Sequence, residues 1–201
     1  MSKDYRPLLV ITMGDAAGSG PEIITKALAE PDIRTICRPL VVGDAATMRE
    51  ALEITGASGK IKSIKRLSDA SFQDGVIVVI DLHNIQLNRL KRGQVDIMAG
   101  KAAYEYIKMA TELTQSGEAD AIVTSAINKE ALNGAGYQYD GHTELLAELC
   151  GVRDVAMMLV SEKLRVAHVT THVSLSGAIK RIRPKRIVTT LRLADEAIRQ
   201  M

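Results

Sequence analysis

Apolar residues recur along this chain in two alternating rhythms. Residues 8–12, 40–42, 76–80, 121–124, 156–160 and 166–170 form short, continuous apolar runs, mostly β-branched. Between them the apolar positions recur at helical spacing. Ala99, Ala102, Ala103, Tyr106, Ala110 and Leu113 share one helical face, and Gly117 is placed to end that helix. Strands that are apolar on both faces, separated by helices, predict an α/β fold: a mainly parallel sheet covered by helices on both sides. Near the end of the chain Ile187, Leu191, Ala194, Ile198 and Met201 repeat the helical spacing, with no cap after them.

Composition narrows the functional classes. The 201 residues carry a formal net charge of +2, one Phe and no Trp. Neither a strong field nor a supply of stacking rings points to nucleic acid. Cys37 and Cys150 stand far apart and form no CxxC pair, which predicts reduced thiols in a reducing compartment. The opening MSKDYRPLLVITMG has too short an apolar run for a signal peptide, and no stretch predicts a membrane span. The expectation is a cytoplasmic globular protein with no nucleic-acid or membrane partner.

Four stretches are candidates for chemistry. GDAAGSGPE, residues 14–22, joins the first strand to the first helix. Gly20-Pro21 suits a helix entrance, Ser19-x-x-Glu22 has capping-box spacing, and Ile23, Ile24, Ala27 and Leu28 form the predicted buried stripe. Its glycines match neither the dinucleotide fingerprint nor a Walker loop. In GHTELLAEL, Thr143 or Asp140 is placed to cap a helix whose first N–H groups would favour an anion, with His142 beside them. In RVAHVTTHVSLS, the predicted strand 166–170 places His168 in the sheet as a packed histidine and His172 just past its carboxyl end, where open α/β sheets bind ligands. In VTSAINKEAL, Lys129 opens a helix and is a candidate cleft residue, as is Asp15. The basic run 180–186 reads as a solvated helix entrance.

Together, TMGDAAGSGPEI, INKEALNGAG, GHTELLAEL and VAHVTTHVSL resemble, in order and spacing, the 4-hydroxythreonine-4-phosphate dehydrogenase family, including its D-threonate and D-erythronate 4-phosphate dehydrogenase paralogues. The resemblance implies an isocitrate/isopropylmalate dehydrogenase-like fold, two-domain at full length. Residues 1–137 would be the first α/β domain and 138–201 the start of the second. It also implies NAD, a divalent metal (Zn, Mg or Co), oxidation with decarboxylation of a phosphorylated four-carbon hydroxy acid, and a homodimer. By the same resemblance His142 and Thr143 bind substrate and His172 is a metal ligand; no cofactor-binding residue is assigned. The wording of NKEAL and HVTTH lies closer to the sugar-acid paralogues than to the vitamin B6 enzyme.

The chain departs from the family where Ala16 replaces a usual proline, Ser19 an isoleucine, and Ser125-Ala126 a Gly-Pro or Ala-Pro. The family's two later metal histidines and its later substrate-binding Lys, Asn and Arg have no counterpart here. The expectation is an N-terminal portion of a longer protein, inactive alone and weak in binding metal. The alternatives are a phosphate acyltransferase-like enzyme of related fold and a non-catalytic binding module.

Overall fold

The computed structural model describes residues 5–200. Contacts divide the chain into two compact units, one ending at His142 and one beginning at Thr143. The sequence placed that division at 137/138. Residues 135–142 group with the first unit, where the Tyr137 ring stacks on Tyr104 with centroids 3.7 Å apart.

The first unit is built on a five-stranded sheet: β1 (Leu8–Thr12), β2 (Arg38–Gly43), β3 (Lys60–Ile64), β4 (Val76–Asp81) and β5 (Ala121–Thr124). The order is β3-β4-β2-β1-β5 and every pairing is parallel. Its helices are α1 (Gly20–Ala29), α2 (Pro31–Ile36), α3 (Ala45–Thr55), α4 (Ile97–Gln115) and α5 (Lys129–Gly134). In the middle of the sheet, Leu40, Val41, Val42, Ile77, Val78 and Val79 are buried whichever face they point to. Each such side chain contributes roughly 1.5–3 kcal/mol. β3 escapes the sequence reading because it is an edge strand, KIKSI, with only Ile64 fully buried.

The predicted face of α4 is buried throughout, from Ala99 to Leu113, and small side chains let it approach closely. At Gly100 an added Cβ would lie 2.2 Å from the Ala131 carbonyl, so α5 packs directly on the α4 backbone. Asp96 caps α4 by accepting from the Met98 and Ala99 N–H groups, and Gly117, at φ 78°, follows its end.

Two expectations for α1 hold only in part: Ile24 and Leu28 are buried and Ser19 is the N-cap residue, as expected. Its buried stripe is Pro21, Ile24, Thr25 and Leu28, at i, i+3, i+4 and i+7, whereas Ile23 and Ala27 face outward. Ser19 makes no side-chain cap bond; it sits in a helical conformation and only its carbonyl is used, accepting from Ile23 N–H.

The second unit holds α6 (His142–Leu149) beyond its first residue, β6 (Met158–Val160), β7 (Arg165–Ala167), α7 (Leu175–Arg181) and α8 (Pro184–Gln200). β6 and β7 form an antiparallel pair apart from the parallel sheet. The predicted strand 166–170 is therefore corrected: β7 ends at Ala167, and His168 is half-buried beyond it, its N–H donating to the Met157 carbonyl at 2.8 Å. It is not a core histidine. Ile187, Leu191 and Ile198 lie on α8 at 37–63% exposure, and Met201 falls outside the described residues. Among the described residues no helix is long and apolar enough to cross a membrane.

Candidate active site

The strand order turns at β1, which lies between β2, the next strand in the chain, and β5, the last strand of the first unit. Ligands of open α/β sheets gather at such a point, outside the carboxyl ends of the strands. Here the connections leaving β1 and β5 are locked together. The Asp15 N–H donates to the Ala126 carbonyl at 2.9 Å, and the Ser125 N–H meets Thr12 Oγ1 at 3.4 Å. Gly14 reaches this geometry with φ 76°. An added Cβ at Gly20, the first residue of α1, would stand 2.8 Å from Ser125 Oγ. The 14–22 stretch is thus a corner pressed against the segment after β5.

Asp15 is 7% exposed, and its Oδ1 accepts from the Ala17 N–H at 2.9 Å. Burial pushes its carboxyl above the ordinary range, with Asp96 adding to the rise and the Ala17 bond opposing it. The corner is also strapped from outside. Gly93 N–H donates to the Ala17 carbonyl at 2.8 Å, and Arg92, ion-paired with Glu50 at 2.7 Å, reaches the Ala16 carbonyl. Lys129 is exposed at the first position of α5, which is capped by Asn128 accepting from Ala131 N–H.

His142 completes the arrangement within the first unit. It is half-buried, hydrogen-bonded to the Ser125 backbone, and its Nε2 is buried with no hydrogen-bond partner. Burial lowers its pKa below the usual histidine value, the Ser125 bond working the other way, so the ring is neutral at pH 7. A buried ring nitrogen that no protein group reaches is ordinarily paired with water, an ion or a ligand. Ser125 was not singled out as a site residue by sequence, because its contribution to His142 comes from the backbone.

α6 starts at His142, so Thr143, the first residue of the second unit, stands inside its first turn instead of capping it. His172 is exposed in the turn between β7 and α7 at φ 55°, a strained conformation for a residue with a side chain. Among the described residues no three His, Cys, Asp or Glu side chains are grouped to hold a metal ion.

The family described as "Pyridoxal phosphate biosynthetic protein PdxA" matches residues 35–201. The chain is 44% identical over 197 residues to the D-threonate 4-phosphate dehydrogenase of Cupriavidus necator, covering 98% of this chain and 59% of that protein. It is similar to the crystal structure of a 4-hydroxythreonine-4-phosphate dehydrogenase from Burkholderia phymatum, with 49% identity and a TM-score of 0.87 over 94% of this chain and 57% of that one. For the enzyme of the same name from Klebsiella pneumoniae the identity is 42% and the TM-score 0.90, over 98% and 60% of the two chains. The chain thus spans about three-fifths of the length of these relatives.

Proposed function

The chain belongs to the PdxA family, and from that premise we propose that it serves the NAD-dependent oxidation, with decarboxylation, of a phosphorylated four-carbon hydroxy acid. D-Threonate 4-phosphate leads the substrates, on the name of the Cupriavidus necator relative. D-Erythronate 4-phosphate and 4-phosphohydroxy-L-threonine follow. The observation that carries this reading is the buried, unpartnered Nε2 of His142 at the start of α6. A phosphate brought to that nitrogen favours the protonated ring and gains a charge-assisted hydrogen bond, while helical N–H groups beside Thr143 add further donors.

A divalent metal belongs to the same reading, and His172 is the donor proposed for it. A single exposed imidazole is not a metal site, which takes about three protein ligands. The described residues therefore do not by themselves fit the ion. Asp15, Gly14 and Gly20 shape the corner beside the substrate, and Lys129 stands at its edge. The working protein is proposed to be a cytoplasmic homodimer, and the 201-residue chain alone to lack dehydrogenase activity.

The test is NADH formation from each of the three phosphorylated acids, with added divalent metal, by the protein that carries this chain. The expected result is turnover of at least one of them. His142→Ala should raise KM about tenfold or more, because a hydrogen bond to a charged group contributes about 1.5–3 kcal/mol. No turnover of any of the three would overturn the reading.

A further inference from the structure

The basic run 180–186 holds Lys180, Arg181, Arg183, Lys185 and Arg186 with no acidic residue among them. Among the described residues none of these five cations forms an ion pair. Lys180, Arg181, Arg183 and Lys185 are exposed. Arg186 is different. It is half-buried, its Nε donates to the Val169 carbonyl at 3.0 Å and its Nη2 to the Val155 carbonyl at 2.8 Å. Those two bonds fix the plane of the guanidinium and leave the rest of its N–H groups unused.

The fixed guanidinium lines a cavity of about 390 Å³ in the second unit, together with Arg181, Val169, Thr170 and Thr171. Neither threonine hydroxyl has a hydrogen-bond partner among the described residues. One turn along α8 from Arg186, Thr190 is 2% exposed and its Oγ1 is also without a partner. The lining of the cavity therefore includes two arginines and two threonines and no carboxylate. The unused N–H groups of Arg186 and the two threonine hydroxyls are donors that one anion can engage together.

We propose that Arg181, Arg186, Thr170 and Thr171 form an anion-binding subsite that takes the phosphate group of a small molecule. A tetrahedral oxyanion offers several acceptor oxygens to planar guanidinium donors, the geometry for which arginine is suited. The two hydroxyls complete a shell made wholly of donors. The subsite stands whether or not the proposed reaction does, since it needs neither NAD nor metal.

The test is titration of the 201-residue chain with inorganic phosphate at constant ionic strength, followed by amide chemical shifts. Saturable shifts at Thr170, Thr171 and the α8 start are expected. Arg181→Gln should weaken them about tenfold or more, as expected for loss of a charge-assisted hydrogen bond. Thr170→Val, which leaves every charge in place, should weaken them several-fold. Lys185→Gln, equal in charge change but outside the cavity, should leave them within twofold. His142→Gln should have no effect on them, which separates this subsite from the corner in the first unit. Non-saturable shifts, equal weakening by Lys185→Gln and Arg181→Gln, or no weakening by Thr170→Val would each overturn the subsite.

Discussion

A Cβ added to Gly14 would stand 2.3 Å from the carbonyl oxygen of Ala126, the same oxygen that accepts the Asp15 N–H. The first and last strands of the sheet are therefore joined by a contact that admits no side chain. Gly14→Ala must both adopt φ near 76° and push the segment after β5 away. The left-handed conformation alone costs roughly 1–2 kcal/mol. With the clash, a loss of about 2 kcal/mol or more in urea unfolding is expected. Gly56→Ala, also at positive φ but with open space around its Cβ, should lose only the conformational part. Equal losses would show that the Ala126 contact is slack.

Tyr106 tests what holds α4 on the sheet. Its ring is fully buried, and its hydroxyl donates to Asn84 Oδ1 at 2.6 Å, while Asn84 donates to Glu105 at 2.7 Å. Tyr106→Phe keeps the ring and should lose about 0.5–1.5 kcal/mol, the net contribution of one hydrogen bond. Tyr106→Ala should lose about 3–5 kcal/mol, as for other large aromatic truncations. Chemical denaturation of the two variants decides between ring packing and hydrogen bond as the larger contribution.

The central strands were legible because Leu40–Val42 and Val76–Ile80 are apolar on both faces, a pattern that only a doubly covered sheet requires. The edge strand β3 was not, since KIKSI buries one side chain and its remaining polar positions look like a loop. The run 166–170 misled because β-branched residues continue past the point where pairing stops. The Arg186 side chain bonds to the Val169 carbonyl, and His172 then turns with positive φ. Those events depend on residues distant in sequence or on backbone conformation. In the candidate site the helix start at His142 is visible in GHTELLAEL, but its spacing alone suits a surface histidine equally well, and only the family resemblance singles the residue out. Ser125 was not legible, because it presents a backbone group that any residue has.

Asp15 carries a pH prediction. Its folded pKa is raised, first by burial, so the folded chain holds this proton more readily than the unfolded chain does. Stability gained from the protonated form is present below the ordinary carboxyl pKa and lost as pH rises through the folded value. Asp15→Asn keeps an oxygen to accept from Ala17 and removes the buried charge near Asp96. At pH 7 the variant should be at least as stable as the parent. Its advantage should shrink as pH falls toward 4. A variant less stable than the parent at pH 7, with a deficit that vanishes as pH falls toward 4, would mean that the carboxylate charge, not its hydrogen bond, holds the corner.

His142 titrates with the opposite sign. Burial lowers its folded pKa below about 6.5, the unfolded value, so its contribution to stability is complete above that pH and is lost as pH falls through the folded value. Ring-proton NMR of the chain should give a His142 midpoint below 6.5, identified by its absence in His142→Gln. Urea midpoints measured from pH 7.5 down to 5 should fall more for the parent than for that variant. Ligand then discriminates between a structural and a binding role. D-Threonate 4-phosphate should draw the midpoint upward, because a dianion at Nε2 favours the imidazolium. Unphosphorylated D-threonate, which lacks that dianion, should leave it in place. If neither compound moves the midpoint, the buried Nε2 serves only the packing of α6 and the phosphate contact assigned to His142 falls.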